Sequence, residues 1–395
     1  LTSADRSTLG PYYTPERQQL QDLARDFAMN EVLPVANRLD PRREKIPAEL
    51  RKKMGEHGFF SLLVPEKYGG LGLGMIEYCL VTEELARAWM SVASIIARAS
   101  LPEDLGEERL AELYPRVMTG DYLGAGALSE PDAGSDLASV ACHAHRDGDE
   151  WVINGQKMWC TNADDAAFIT LLCRTEPADP RNRRKGIGWF FIEKEPGTFP
   201  AGIAADKIDK IGYHGWYTFA LSFDDFRLPA SALLRPTGAF ENVAHELFAA
   251  RVHTAARAVG LARGALEDGT KYALQRTQFK RPIAEFQAIR FKLATMATQI
   301  EAARQLMYYV ANEIDHGRGE QRHKEAAMAK LFATEMAERV TSEALQIHGG
   351  YGYTTDFAVE RYWRDARLTK IFEGTSEIQQ RIISDLILRD RRGAG

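Results

Sequence analysis

The sequence predicts an α+β chain in three parts: an N-terminal helical domain (residues 1–123), a middle β domain (124–236) and a C-terminal four-helix bundle (237–395). The hydrophobic period carries that division. It is helix-like from Pro15 to about Tyr114, strand-like between about Gly124 and Pro236, and helical again beyond Pro236. A chain of 395 residues, 45% hydrophobic and 27% charged, can bury the core that such an assembly needs.

The first part reads through "PERQQLQDLARDFAMNEVLPVANRLD" and "MIEYCLVTEELARAWMSVASIIARAS", with the turn signal "PEKYGGLGLG" between them. In the middle, "AAFITLLCRT", "KGIGWFFIEKE" and "FALSFDDFRLP" are β-rich runs bounded by Gly, Pro, Asp and Asn, and Phe219, Leu221 and Phe223 alternate as a half-buried strand does. In the last part, Phe248, Val252, Ala255, Val259, Ala262 and Leu266 fall on one helical seam. Phe286, Ile289, Leu293, Met296, Ile300, Ala303, Met307, Val310 and Ile314 fall on a second. With "KEAAMAKLFATEMAERVTSEALQIHGG" as a further helix, these seams predict a bundle.

Composition narrows the function. A net charge of −5 gives no general electrostatic reason to bind nucleic acid. No apolar stretch approaches the roughly 20 residues that span a bilayer, so no membrane partner is expected. "LTSADRSTLG" lacks the basic and apolar regions of a secretory leader, and the expected location is cytoplasmic, or an organelle matrix after processing. Cys79, Cys142, Cys160 and Cys173 show no CxxC spacing and are expected to be reduced. His143, His145 and His348 belong to no ligand spacing, so no metal is expected.

Five stretches carry residue types that packing does not need. "LSEPDAGSD" (128–136) offers backbone amides and the hydroxyls of Ser129 and Ser135 around Gly134, suited to a phosphate or a heteroaromatic edge. "KMWCTN" (157–162) sets Trp159, a stacking surface, two residues before the Thr161 hydroxyl. "RTQFKRPIAEFQAI" (276–289) brings Arg276, whose fork suits a pyrophosphate, and "QIHGGYGY" (346–353) a glycine turn that admits a ligand to the backbone. "IFEGTSEIQQ" (371–380) puts Glu373 at the edge of an apolar run. It is either an acid favoured at the start of the helix that Thr375 or Ser376 opens, or a carboxylate held as a base. Taken singly, each stretch is more often a loop, a core position or a surface residue.

Together, and in order with "VPEKYGGLG", "VINGQKMWCTN" and "FDDFRLP", these stretches resemble the acyl-CoA dehydrogenase family over nearly the whole chain. The resemblance implies a helical, β, helical fold, tightly bound FAD and a homotetramer in which FAD touches two subunits. It implies flavin contacts at Leu128, Ser129, Trp159 and Thr161, with the Thr161 hydroxyl near flavin N5. Arg276, Phe279, Gln287, Gln346, Gly349 and Gly350 look like contacts across the subunit boundary, and Thr375 and Glu377 like contacts within one chain. Ser135, Arg251 and Gly374 match substrate positions. Glu373 falls on the family's base, which takes the α proton of an acyl thioester as the β hydride passes to the flavin, giving a trans-2-enoyl thioester. Its backbone N–H, with an FAD hydroxyl, is expected to hold the thioester carbonyl. A branch acting on isovaleryl thioesters draws its base from the residue before the helix arginine; here that residue is Ala250, which argues against that branch.

Three positions depart from the family pattern. Phe248 stands where an Asp usually helps to hold the CoA adenine, Lys280 follows Phe279 where glycine is frequent, and Trp216 replaces a small hydroxyl residue. The acyl pocket is expected along "ELARAWMSVASIIARAS", with Trp89, Met90, Ser94 and Arg98 as candidates. Arg98, a cation in an apolar run, either pairs with a carboxylate at the distal end of a substrate or reaches solvent. The expected function is an FAD-dependent acyl-CoA dehydrogenase that passes electrons to an electron-transfer flavoprotein. The alternatives are a carrier-protein thioester in place of CoA, a flavin oxidase or monooxygenase on the same fold, and a non-catalytic flavoprotein that binds nucleic acid. Glu373 and the acidic charge balance count against the last.

Overall fold

The computed structural model describes residues 10–236 and 238–392. The stretch 1–9, read above as lacking a leader, and Thr237, where the bundle domain is expected to begin, lie outside the described residues. The first part consists of helices α1 (Pro15–Phe27), α2 (Leu33–Leu39), α3 (Ala48–Glu56), α4 (Met75–Ala88), α5 (Met90–Ile95) and α6 (Glu107–Met118). Thr14 caps α1 by accepting from the Arg17 N–H, and Pro15 opens it where a missing N–H costs nothing. The run "ELARAWMSVASIIARAS" is not one helix. Trp89 is extended (φ −158°, ψ 113°), α5 follows it, and a 3₁₀ turn spans Ile96–Ala99. The break has a tertiary cause: the Ser91 hydroxyl donates to His214 O and Trp216 Nε1 donates to Ser91 O at 2.9 Å, so a loop of the sheet domain fastens this corner.

Strands β1 (Gly124–Ala127), β2 (His143–Asp147), β3 (Glu150–Thr161), β4 (Phe168–Arg174), β5 (Ile187–Glu193), β6 (Ile203–Lys207), β7 (Thr218–Pro229) and β8 (Leu233–Arg235) form one sheet. Its order is β6-β7-β3-β2-β4-β5-β8, with β1 pairing β4 in parallel. β3 and β7 run antiparallel with register shifts at Ile153/Gly155 and Lys157/Cys160, and the second shift takes Trp159 out of the ladder.

Helices α7 (Ala239–Gln275), α8 (Gln287–Asp315) and α9 (His323–His348) are long; α11 (Ser376–Arg392) packs on α9, and α10 (Val359–Thr369) lies against α7 and α9. Val252, Ala255, Val259 and Ala262 on α7, and Met296, Ile300, Ala303, Met307 and Val310 on α8, are buried as the seams require. α4 packs on α7 and α8, so the first and last parts share one apolar core. Ion pairs are buried inside it: Glu83 with Arg304 (3.0 Å) and Arg263 (3.1 Å), Glu84 with Arg263, and Glu267 with Arg87 (2.7 Å). Every one of these charges has an opposite neighbour, and removing one partner from such a pair costs about 3–5 kcal/mol. The four cysteines are free and buried. No helix among the described residues is long and apolar enough to cross a membrane.

Candidate active site

After α10 the chain turns, and the N–H groups of Ile371 and Phe372 both donate to Leu368 O (2.8 and 3.2 Å). Glu373 (φ 55°) and Gly374 (φ 93°) then adopt consecutive left-handed conformations. Thr375 caps α11 by accepting from the Ile378 N–H at 3.3 Å. Cap and acid are therefore different residues. Glu373 directs its carboxylate not at α11 but at α7. A Cβ on Gly374 would lie 2.5 Å from Gln379 Nε2, so glycine serves both the dihedral and the close approach. Gly374 O accepts from Gln379 Nε2 (2.9 Å) and from Lys330 Nζ (2.6 Å). A left-handed non-glycine residue costs of order 1–3 kcal/mol, so these contacts hold Glu373 where it would not rest alone.

On α7, the Thr254 hydroxyl and Arg257 Nη2 (2.5 Å) both donate to Glu373 Oε2. The Arg257 side chain is 1% exposed and that of Glu373 27%. Arg257 also donates to Thr254 Oγ1 (2.9 Å) and Ser94 Oγ (3.0 Å), and its guanidinium lies 4.6 Å from the Phe372 ring. Burial opposes the Arg257 charge, but Glu373, Tyr213 and Tyr78 outweigh it and hold the group above its ordinary range. Lys330 is fully buried, and burial pushes it down to about 8, with Glu373 pulling the other way. The Glu373 N–H has no acceptor among the described residues. Sequence reasoning singled out Glu373 but not Thr254, Arg257 or Lys330. The signal for Arg257 was present in "HTAARAVG": a cation in an apolar run, the criterion that picked out Arg98.

The second group lies on the sheet. Trp159 (φ 63°) is 59% exposed at the β3 irregularity. Behind it, the buried Lys157 Nζ donates to Leu128 O (2.9 Å) and pairs with Glu130 (2.7 Å), and the Met158 N–H donates to Ser129 O (2.8 Å). Leu128 and Ser129 are thereby fastened beside the indole. Thr161 Oγ1 is 3.0 Å from Thr218 Oγ1, which accepts from Lys210 Nζ at 2.9 Å, and burial pushes Lys210 down to about 8. Ser135 is exposed farther along the 128–136 loop. Arg98 is half-exposed on its 3₁₀ turn, and its charge is felt at Tyr78, Cys160 and His253. Trp89 and Met90 are fully buried, and Ser94 is taken by Arg257.

The third group is an open cleft of about 570 Å³ lined by Tyr272, Arg276, Gln278, His348, Gly349 and Gly350 among others. Arg276 is exposed, lies 5.7 Å over the Tyr351 ring and has no carboxylate partner among the described residues. Added Cβ atoms on Gly349 and Gly350 would meet nothing within 4 Å. Phe279 is 88% exposed in the hairpin between α7 and α8, and Gln287 and Gln346 are exposed at the helix ends that flank it and the glycines. No hydrogen bond or ion pair among the described residues joins this cleft to Trp159 or Glu373. Thr375 is half-buried at its cap and Glu377 is exposed one residue into α11. An exposed indole on strained backbone, an unpaired guanidinium and bare glycine backbone suit an aromatic ring system and a pyrophosphate, so the residues fit FAD.

The departures from the family pattern resolve differently. Phe248 is 5% exposed and packs 4.8 Å from the His323 ring, so it belongs to the α7 seam. Trp216 is buried and ties the sheet domain to α5. Lys280 (φ 65°) follows Phe279 (φ 50°) in left-handed backbone, the conformation for which glycine is the usual choice.

Residues 14–110, 125–226 and 240–388 match the N-terminal, middle and C-terminal domains of acyl-CoA dehydrogenases, respectively. An acyl-CoA dehydrogenase of Bacillus subtilis (strain 168) is 40% identical over 387 residues, 95% of this chain and 99% of that one. A chain from a structure of the electron transferring flavoprotein of Acidaminococcus fermentans is similar at 36% identity and TM-score 0.88, over 95% of this chain and 99% of that one. A glutaryl-CoA dehydrogenase from Mycobacterium smegmatis, solved in complex with FADH2, is similar at 26% identity and TM-score 0.84, over 95% of each chain. Matched through all three domains in order, the chain belongs to the acyl-CoA dehydrogenase family and is an FAD-dependent oxidoreductase acting on CH–CH groups.

Proposed function

We propose that the protein converts an acyl-CoA thioester to the trans-2-enoyl-CoA, with Glu373 as base and an electron-transfer flavoprotein as electron acceptor. The observation that carries this reading is the Glu373 turn, a carboxylate on strained backbone that no helix cap accounts for. FAD, when bound, supplies the acceptor for the β hydride. The chain's own part concerns the α proton. Glu373 Oε1 accepts from no group among the described residues and is free to take it, while the Glu373 N–H donates to the thioester carbonyl and stabilises enolate charge. Arg251, buried and with no acceptor at Nε, is held below its ordinary range by burial and suits the anionic part of a substrate, with Ser135 and Gly374 as the further contacts.

Leu128, Ser129, Trp159, Thr161, Thr375 and Glu377 hold the flavin of their own chain. Arg276, Phe279, Gln287, Gln346, Gly349 and Gly350 hold that of a partner. The exposed Arg276 and Phe279 and the bare glycines of the cleft support a contact with a second chain, and the proposed assembly is a homotetramer. Likeness to the Acidaminococcus chain supports the electron acceptor. The test is anaerobic mixing of the FAD-loaded protein with a panel of acyl-CoA thioesters, which are expected to bleach the flavin absorbance. A flavin that dithionite bleaches and no thioester does ends the reading.

Phe248 favours a second reading, in which the acyl group rides on the pantetheine of a carrier protein, because a buried phenylalanine cannot accept from the adenine amine. The same assay compares an acyl-CoA with its pantetheine and carrier-bound counterparts. A pantetheine thioester worse by about a thousandfold in kcat/KM, ~4 kcal/mol of transition-state binding, means that the nucleotide is fully gripped. A carrier-bound thioester that is best replaces the first reading with the second.

A further inference from the structure

Arg257 is a charge that the dehydrogenation chemistry does not require. Its one carboxylate partner among the described residues is the proposed base itself, and its Nε has no acceptor there. Further cations lie around it: Arg257 and Arg251 both act on Lys330, on which Glu335 acts as an anion, and Arg257 and Arg98 both act on the buried Tyr78. Tyr213, Tyr78 and His253 are the other titratable groups against it, and burial pushes Tyr78 up and His253 well down. An aliphatic substrate therefore meets a conflict. Glu373 Oε1 is free to take the α proton while Oε2 stays on Arg257, but the transfer neutralises the carboxylate and leaves a buried guanidinium without an anion.

We propose that Arg257 sets substrate specificity by receiving a carboxylate at the far end of a short acyl chain, an anion that stays on the guanidinium when Glu373 takes the α proton. This rests on the dehydrogenase reading of the site. Ser94 and Thr254, both bonded to Arg257, fix the plane of the fork, which suits a carboxylate. The chain is short because Nη2 lies 2.5 Å from the oxygen of a base that must also reach the α carbon. Acyl groups of the succinyl or glutaryl type meet that requirement. The distal-carboxylate role expected for Arg98 thus moves to a residue on α7.

The test uses FAD-loaded wild type, Arg257→Gln and Arg257→Lys with glutaryl-CoA, its terminal methyl ester and butyryl-CoA. Anaerobic flavin reduction and Kd by equilibrium dialysis are both measured. Wild type is expected to prefer the free carboxylate over the methyl ester by roughly 100-fold or more in kcat/KM, the scale for a buried charged group left unpaired. In Arg257→Gln the preference falls to within about threefold, and Arg257→Lys keeps part of it. A wild type that reduces faster with butyryl-CoA, or a preference unchanged in Arg257→Gln, overturns the proposal without any appeal to the variants' stability in the first case. If no thioester bleaches the flavin, the dehydrogenase reading falls separately and the Kd ranking decides. Tighter binding of the free carboxylate in wild type alone supports Arg257, and equal binding overturns it.

Discussion

The Glu373 turn and the Arg276 cleft both offer a charged side chain to a ligand, yet they are built in opposite ways. At the turn, strained backbone is fixed from within: Lys330 and Gln379 hold the Gly374 carbonyl, and Thr254 and Arg257 hold the carboxylate. At the cleft, Arg276 is exposed, Phe279 faces solvent, and the glycines have empty space above them. One region is held by contacts within the chain, and in the proposed assembly the other is finished by a second subunit. The contrast separates chemistry, which needs a side chain held to a fraction of an ångström, from assembly, which leaves polar and aromatic groups unsatisfied until a partner arrives.

The sharpest way to break this contrast is Glu373→Gln. It is expected to slow flavin reduction by at least ~100-fold, the usual loss for a general base, while FAD content and oligomer size stay as in wild type. Loss of FAD in that variant would show that the turn serves assembly as well. Arg276→Ala is the complementary change, expected to weaken FAD binding by roughly 10–100-fold and to shift the oligomer to smaller species together. Size-exclusion with absorbance at two wavelengths checks it; a full-sized oligomer with stoichiometric FAD removes the cross-chain role.

Lys330 sharpens the closed side of the comparison. Burial holds it down from an ordinary 10.5 to about 8. Below pH 8 it is charged in both states and its burial counts against the fold. Between about 8 and 10.5 the unfolded chain binds the extra proton, so stability rises with pH. Relative to Lys330→Met, wild type is expected to gain about 2 kcal/mol from pH 7 to 9.5 in guanidinium unfolding. Parallel curves for the two proteins would mean that Lys330 titrates as an ordinary lysine. On the open side, Lys280→Gly relieves left-handed strain in the hairpin and is expected to stabilise the FAD-loaded protein by ~0.5–1 kcal/mol. A lower Tm instead would show that the Lys280 side chain makes a contact the single chain does not contain.

Sequence alone made Glu373, Trp159, Arg276 and the two helical seams legible, because local spacing and ordered motifs carry them. The partners of Arg257 and Lys330 were not legible, although Arg257 stood out as a cation in an apolar run. Each of the two residues lies in an alanine-rich helical run whose period says only that it is packed, and what it packs against is decided by α10 and α11 from the far end of the chain. The break at Trp89 escaped for a similar reason: nothing in "ELARAWMSV" stops a helix, and the stop comes from His214 and Trp216. Phe248 went the other way, since its seam spacing already pointed to the packed position that it occupies.

Helix α5 is six residues long and buried throughout. At Ser91 it is tied to the sheet domain, and at Ser94, one turn later, to the guanidinium that holds the carboxylate. So short a segment, anchored at both ends, acts as a mechanical strut. A shift in the seating of the sheet would reach the Arg257–Glu373 pair through a single turn of helix.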